Sequence, residues 1–170
     1  LALGVAAIAG VGTLRSASQS GLTDQGAVLL GGDAQMEFTY RFADEAERAY
    51  MARIATDVSE VVDFRSMASV PDDTALTQVK AVDAAYPLYG TLELEPAMPL
   101  EQAFATTDGL PGAIMDPVLI ERLSLRVGDT FTLGTGQFRL TAALLREPDS
   151  AAGGFALGPR TMVLTTALQG

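Results

Sequence analysis

Acid–base chemistry in this chain would fall to carboxylates alone, because its 170 residues include 21 Asp and Glu but no His and no Cys. Imidazole bases, thiolate nucleophiles, Ser-His-Asp triads and Cys/His zinc sites are excluded together. Carboxylates that stand close in sequence include Asp72 with Asp73, and Asp44 with Glu45 and Glu47. A glycosidase needs such a pair on either side of one bond at a defined separation. Yet the aspartates in "VPDDT" follow a proline, as turn residues do, and Asp44 with Glu47 three residues later has the pattern of a capping box. No catalytic residue is assigned.

Metal and nucleotide sites fare no better. Neither "VPDDT" nor "REPDS" has the spacing or the glycine of a calcium-binding loop. The "GTG" at 134–136 lacks the third glycine and the following helix of a nucleotide loop, and reads as a hairpin turn. Gly10 and Gly12 lie inside an apolar run, where small residues favour close helix packing in lipid. No cofactor and no metal are assigned. The net charge of -10 speaks against nucleic acid as a partner, since phosphate contacts need clustered Lys and Arg.

The elements that would position any site begin with "LALGVAAIAGVGTL", which carries no charge before Arg15. As a helix it would be about 21 Å long, against about 30 Å for a hydrocarbon core. The back end of a transmembrane helix, the apolar region of a signal peptide and a buried core helix all fit. The helical pattern continues through Leu22 and Val28 to Leu30, where Gly31 and Gly32 stop it.

Residues 33–40 alternate Ala34, Met36, Phe38 and Tyr40 with polar neighbours, which predicts a half-buried strand. Phe42, Ala46, Tyr50, Ile54 and Val58 recur every four residues and predict an amphipathic helix over 44–57 with its apolar face in the core. Two strands follow at 59–69 and 75–83, joined through the turn at Pro71. After 86 come short strands and loops punctuated by Pro87, Pro96, Pro99 and Pro111. Asp116–Pro117 then starts a short helix to about 123, and a glycine hairpin spans 127–144. A strand in "TMVLTT" ends the pattern. The fold class is α+β. The Gly- and Ala-rich loop between Ser150 and Pro159 presents Phe155 and Leu157, which are read as contacts for a partner or cargo.

The stretches "KAVDAAYPLYG", "MDPVLIERLSLRVGDTFTLGTGQFRLTAALLREPD" and "GGFALGPRTMVL" resemble the extracytoplasmic, MacB-like periplasmic core domain of an FtsX/MacB-type ABC transporter permease, in its YbbP-like branch. The resemblance covers nearly the whole chain, and its apolar start matches the end of that family's first transmembrane helix. It implies a two-lobed α+β domain preceded by an apolar helical stem. Residues 1–30 would be the end of the transmembrane helix and the stem. Residues 31–85 would form a porter-like strand-helix-strand-strand lobe, left incomplete and with an unpaired edge for want of a returning segment. Residues 86–170 would form a second, β-rich lobe with a short helix.

By the same resemblance the domain is non-catalytic and lies outside the bacterial inner membrane. ATP is bound by a separate cytoplasmic ABC ATPase subunit, and the cargo for export is a hydrophobic, lipid or lipoprotein-like molecule. The alternative is a membrane-tethered extracytoplasmic ligand-binding module or carboxylate-dependent hydrolase, which would require a single anchor and activity or binding in the isolated domain.

Overall fold

The computed structural model describes residues 31–149 and 158–168. The stem at 1–30 and the predicted contacts Phe155 and Leu157 lie outside the described residues. In chain order the elements are α1 (Glu45–Ile54), β1 (Val61–Val70), β2 (Asp73–Val82), β3 (Glu93–Glu95), α2 (Leu100–Ala103), β4 (Gly112–Met115), α3 (Pro117–Arg122), β5 (Thr130–Leu133), β6 (Gly136–Arg146) and β7 (Arg160–Leu164), followed by a 3-10 turn over Thr165–Leu168.

All seven strands join one mixed sheet in the order β3-β6-β4-β7-β2-β1-β5. A further pairing of β5 with β6 brings the far strand back to the long one, so the sheet closes on itself. Sheet closure of this kind leaves fewer edges that would otherwise invite another chain. β2 runs parallel to β7 and β4 parallel to β6, while the remaining pairs are antiparallel. The division of the chain near residue 85 is therefore not a division of the sheet: β2, from the first part, pairs with β7 from the second.

The long strands follow their alternation. Phe138, Leu140, Ala142 and Leu144 of β6 are buried, while Gln137 is exposed and Arg139, Thr141 and Ala143 are intermediate. Phe138 stacks on Phe131, its partner across the hairpin, with ring centroids 6.0 Å apart. β4 has no polar face: all four of its residues are buried between β6 and β7, which its run Gly112-Ala113-Ile114-Met115 suits. One apolar cluster gathers Val79, Leu119, Phe138, Leu140 and Val163, and a second gathers Val82, Tyr86, Leu94, Phe104 and Met162.

Two expectations are corrected. Residues 34–38 take no regular secondary structure and pair with no strand, and Tyr40 takes a positive φ of 62°. Alternation over 33–40 had the right period, but a strand needs a neighbour to satisfy its backbone, and none of the described residues supplies one. The helix over 44–57 forms as α1 with the expected capping box, Glu47 N–H donating to Asp44 Oδ1 at 2.8 Å and Asp44 N–H to Glu47 Oε2 at 2.9 Å. It buries no residue, however, and Phe42 and Ile54 are 65% and 62% exposed. Beside it, Val61–Ser66 of β1 pair with β2 on one side and with no described strand on the other.

Candidate functional site

Of the carboxylates singled out above, Asp44, Glu47 and Asp73 bond backbone N–H groups. Asp73 Oδ1 accepts from the N–H of Thr74 at 2.7 Å, at the start of β2 just after the turn that joins it to β1. Asp72 and Asp73 line an open hollow of about 470 Å³ together with Ser124 and Asp129. Asp129 is engaged there by the N–H of Arg126 at 2.8 Å. Glu47 also takes both guanidinium nitrogens of Arg41, at 2.7 Å and 2.8 Å. Those bonds, with the Asp44 N–H, hold its carboxyl down at about 2.

The structure instead gathers a different set of charges. Leu76, Gln78, Lys80 and Val82 share one face of β2 by the two-residue period of a strand. Lys80 stands between Asp63 of β1 and Met162 of β7 in the ladder, and only 4% of its side chain is exposed. A buried ammonium persists only when it is paired and its protons are bonded. Lys80 Nζ donates to Glu147 Oε1, to Asp149 Oδ2 at 2.7 Å and to Tyr86 Oη at 3.0 Å. Arg160, at the start of β7, clamps the same Glu147 through Nη1 at 2.7 Å and 2.8 Å, and its other terminal nitrogen lies 4.0 Å from Asp63. Tyr86 Oη donates to Asp149 Oδ1 at 2.7 Å. Two cations thus face the buried Glu147 and the half-buried Asp149, with the more exposed Asp63 at the rim.

The electrostatics differ between the two carboxylates. Burial pushes Glu147 up, and the attraction of Lys80 and Arg160 offsets this only in part. Burial also pushes Asp149 up, but hydrogen bonds from Lys80 and Tyr86 outweigh it and leave the carboxyl below the ordinary range. Burial and the bond to Asp149 push the Tyr86 phenol well above its ordinary value.

Further contacts reach beyond the sheet. Asp83 orders the turn that delivers Tyr86: its Oδ1 accepts from the N–H groups of Ala85 and Tyr86, both at 3.1 Å, and from Ser59 Oγ at 2.8 Å. Tyr89, three residues on, donates to Asp33 Oδ2 at 2.9 Å. Gly31 packs so closely on Asp149 that a Cβ there would stand 3.1 Å from the Asp149 Cβ. The segment at 31–33 is therefore held by Asp149 on one side and by the Tyr86–Gly90 turn on the other.

No sequence rule for catalysis or metals marks this cluster, and it was not legible as a site. The signal was present in another form. "KAVDAAYPLYG" supplies Lys80, Asp83, Tyr86 and Tyr89, "LLREPD" supplies Glu147 and Asp149, and "GPRTMVL" supplies Arg160. All three stretches that carry the resemblance converge on it. Chemically the arrangement fastens segments together, each charged group being met by one of opposite sign.

Among the described residues, a mixed sheet closed by its hairpin and flanked by few helices defines a sheet-dominated α+β domain. The extracellular domain of the noncanonic ABC-type transporter YknZ from Gram-positive bacteria superposes with a TM-score of 0.51 at 11% identity, over 74% of this chain and 63% of that one. The periplasmic region of MacB from Actinobacillus actinomycetemcomitans gives a TM-score of 0.48 at 8% identity, over 75% of this chain and 58% of that one. No family model matches the chain.

In sequence, the chain is a homologue of the uncharacterized ABC transporter permease YbbP of Escherichia coli strain K12, at 29% identity over 167 residues. That match takes in 96% of this chain but only 19% of the permease, so the chain spans about a fifth of its relative's length. The resemblance drawn from the sequence is met by these likenesses.

Proposed function

We propose that this chain is the non-catalytic extracytoplasmic domain of an ABC-type export permease in the bacterial inner membrane. It converts movement of the membrane helices into movement of a cargo or partner outside, while a separate cytoplasmic ABC ATPase binds and hydrolyses ATP. The cargo class is hydrophobic, a lipid or lipoprotein. Residues 1–30 deliver the motion as the end of a transmembrane helix and its stem, and Phe155 and Leu157 meet the cargo or a periplasmic partner. The observation that carries the reading is the sequence likeness to a permease along 96% of the chain, joined to the fold likeness to a transporter's extracellular domain.

The finer two-lobed description belongs to the same proposal. Residues 31–85 contribute a porter-like lobe and residues 86–170 a β-rich one, on a sheet the two share. The exposed face of α1 and the free side of Val61–Ser66 are the places at which a later segment of the longer polypeptide completes the porter-like lobe. Support for this comes from the length of the relative, of which this chain matches only 19%.

The orientation is directly testable, because the chain has no Cys of its own. In the full-length polypeptide, with any Cys outside this domain replaced by Ser, Asp72→Cys on the exposed turn is expected to react with a membrane-impermeant maleimide in intact spheroplasts. Labelling only after lysis would place the domain on the cytoplasmic side and overturn the proposal.

A further inference from the structure

Ionic networks with every partner satisfied behave as units, because releasing one member strands the others in a poorly solvating interior. The Lys80 network has this character, and it spans segments far apart in sequence. Asp149 bonds Lys80 and Tyr86 while its Cβ side packs against Gly31. Tyr89, on the same turn as Tyr86, holds Asp33. On the inner side Lys80 belongs to β2 and Arg160 to β7, parallel neighbours in the middle of the sheet order. Glu147 bonds both cations and so ties the two strands to each other across the end of β6.

We propose that Lys80, Tyr86, Glu147, Asp149 and Arg160, with Tyr89 as an outrigger, form the joint through which residues 31–33 move as one body with β2 and β7. Displacement of the leading segment is passed by Asp149 and Tyr89 to the 86–90 turn and to Lys80, and by Glu147 to Arg160. It enters at the centre of the sheet and not at an edge. The joint rests on the proposed function only for what it transmits, namely movement of the stem; the fastening itself is a physical claim about this chain.

Spin labels on cysteine pairs test it in the 170-residue chain, which offers no competing thiol. Gln35→Cys with Val118→Cys reports the leading segment against α3, and Val118→Cys with Gln137→Cys reports two sites of the sheet domain. All three positions are exposed. Double electron–electron resonance is expected to give one narrow distance for each pair on the otherwise unaltered chain. Lys80→Met and, as the milder change, Asp149→Asn are each expected to broaden the Gln35–Val118 distribution about twofold or more and to leave the Val118–Gln137 distribution narrow. Tyr89→Phe should broaden the first pair by less.

An unchanged Gln35–Val118 width in both charge variants would overturn the joint, since the leading segment would then be held by other contacts. Equal broadening of both pairs in both variants would also overturn it, because the cluster would then be a staple for the whole fold. Failure of the transporter reading would be seen in the cysteine labelling from outside the cell and would leave these distances untouched.

Discussion

Asp149 and Glu147 sit two residues apart in one network, yet acid acts on them in opposite senses. Asp149 has a folded value below its ordinary one, so its contribution to stability is complete above about pH 4 and is lost as pH falls through the folded value. Glu147 has a folded value above its ordinary one, so taking up its proton favours the folded chain as pH falls. Asp149→Asn isolates the first effect, since it keeps the shape of the side chain and removes its charge. At pH 7 the variant is expected to be less stable by about 1.5–3 kcal/mol, the usual worth of a buried hydrogen bond to a charged group. Urea unfolding should show that gap narrowing once the pH drops below the ordinary aspartate range. A gap that stays constant down to pH 2.5 would mean that Asp149 is not held ionised by Lys80 and Tyr86.

Among the elements, β4 depends most on one small residue. A Cβ on Gly112 would stand 2.2 Å from the carbonyl oxygen of Ala103, at the end of α2, and both atoms belong to rigid backbone. Nearby, the Thr141 hydroxyl lies 2.7 Å from that same carbonyl and 3.0 Å from that of Ala113, so the strand and the helix end are bound through β6. Gly112→Ala is expected to cost about 1–3 kcal/mol, the range for overpacking a filled interior, measured as a lowered urea midpoint at unchanged slope. A neutral result would show that α2 can step away from the sheet without loss.

What was legible in the sequence divides along the same line between local rules and distant partners. The capping box at Asp44, the Pro71 turn, the Asp116–Pro117 helix start and the hairpin at Gly134–Gly136 depend on neighbouring residues, and all four form. The strand at 33–40 and the buried face of α1 depend on partners elsewhere, which periodicity does not name, and neither forms among the described residues. The ionic cluster was invisible for a related reason. Lys80 reads as one more polar residue in a strand until Glu147, 67 positions away, closes on it.

The whole molecule combines a shared sheet, a leading segment in contact with Asp149 and Tyr89, and a helix whose apolar face lies open. The likeness to a permease about five times its length supports a domain inside a transporter over a free-standing ligand-binding module or hydrolase. The most direct test is to solubilise the full-length polypeptide from native membranes in mild detergent, isolate it and identify what accompanies it. An ABC ATPase is expected in stoichiometric amount, retained on a polypeptide with further membrane-spanning segments after this domain. Recovery of a protein with a single membrane anchor and no ATPase would contradict it.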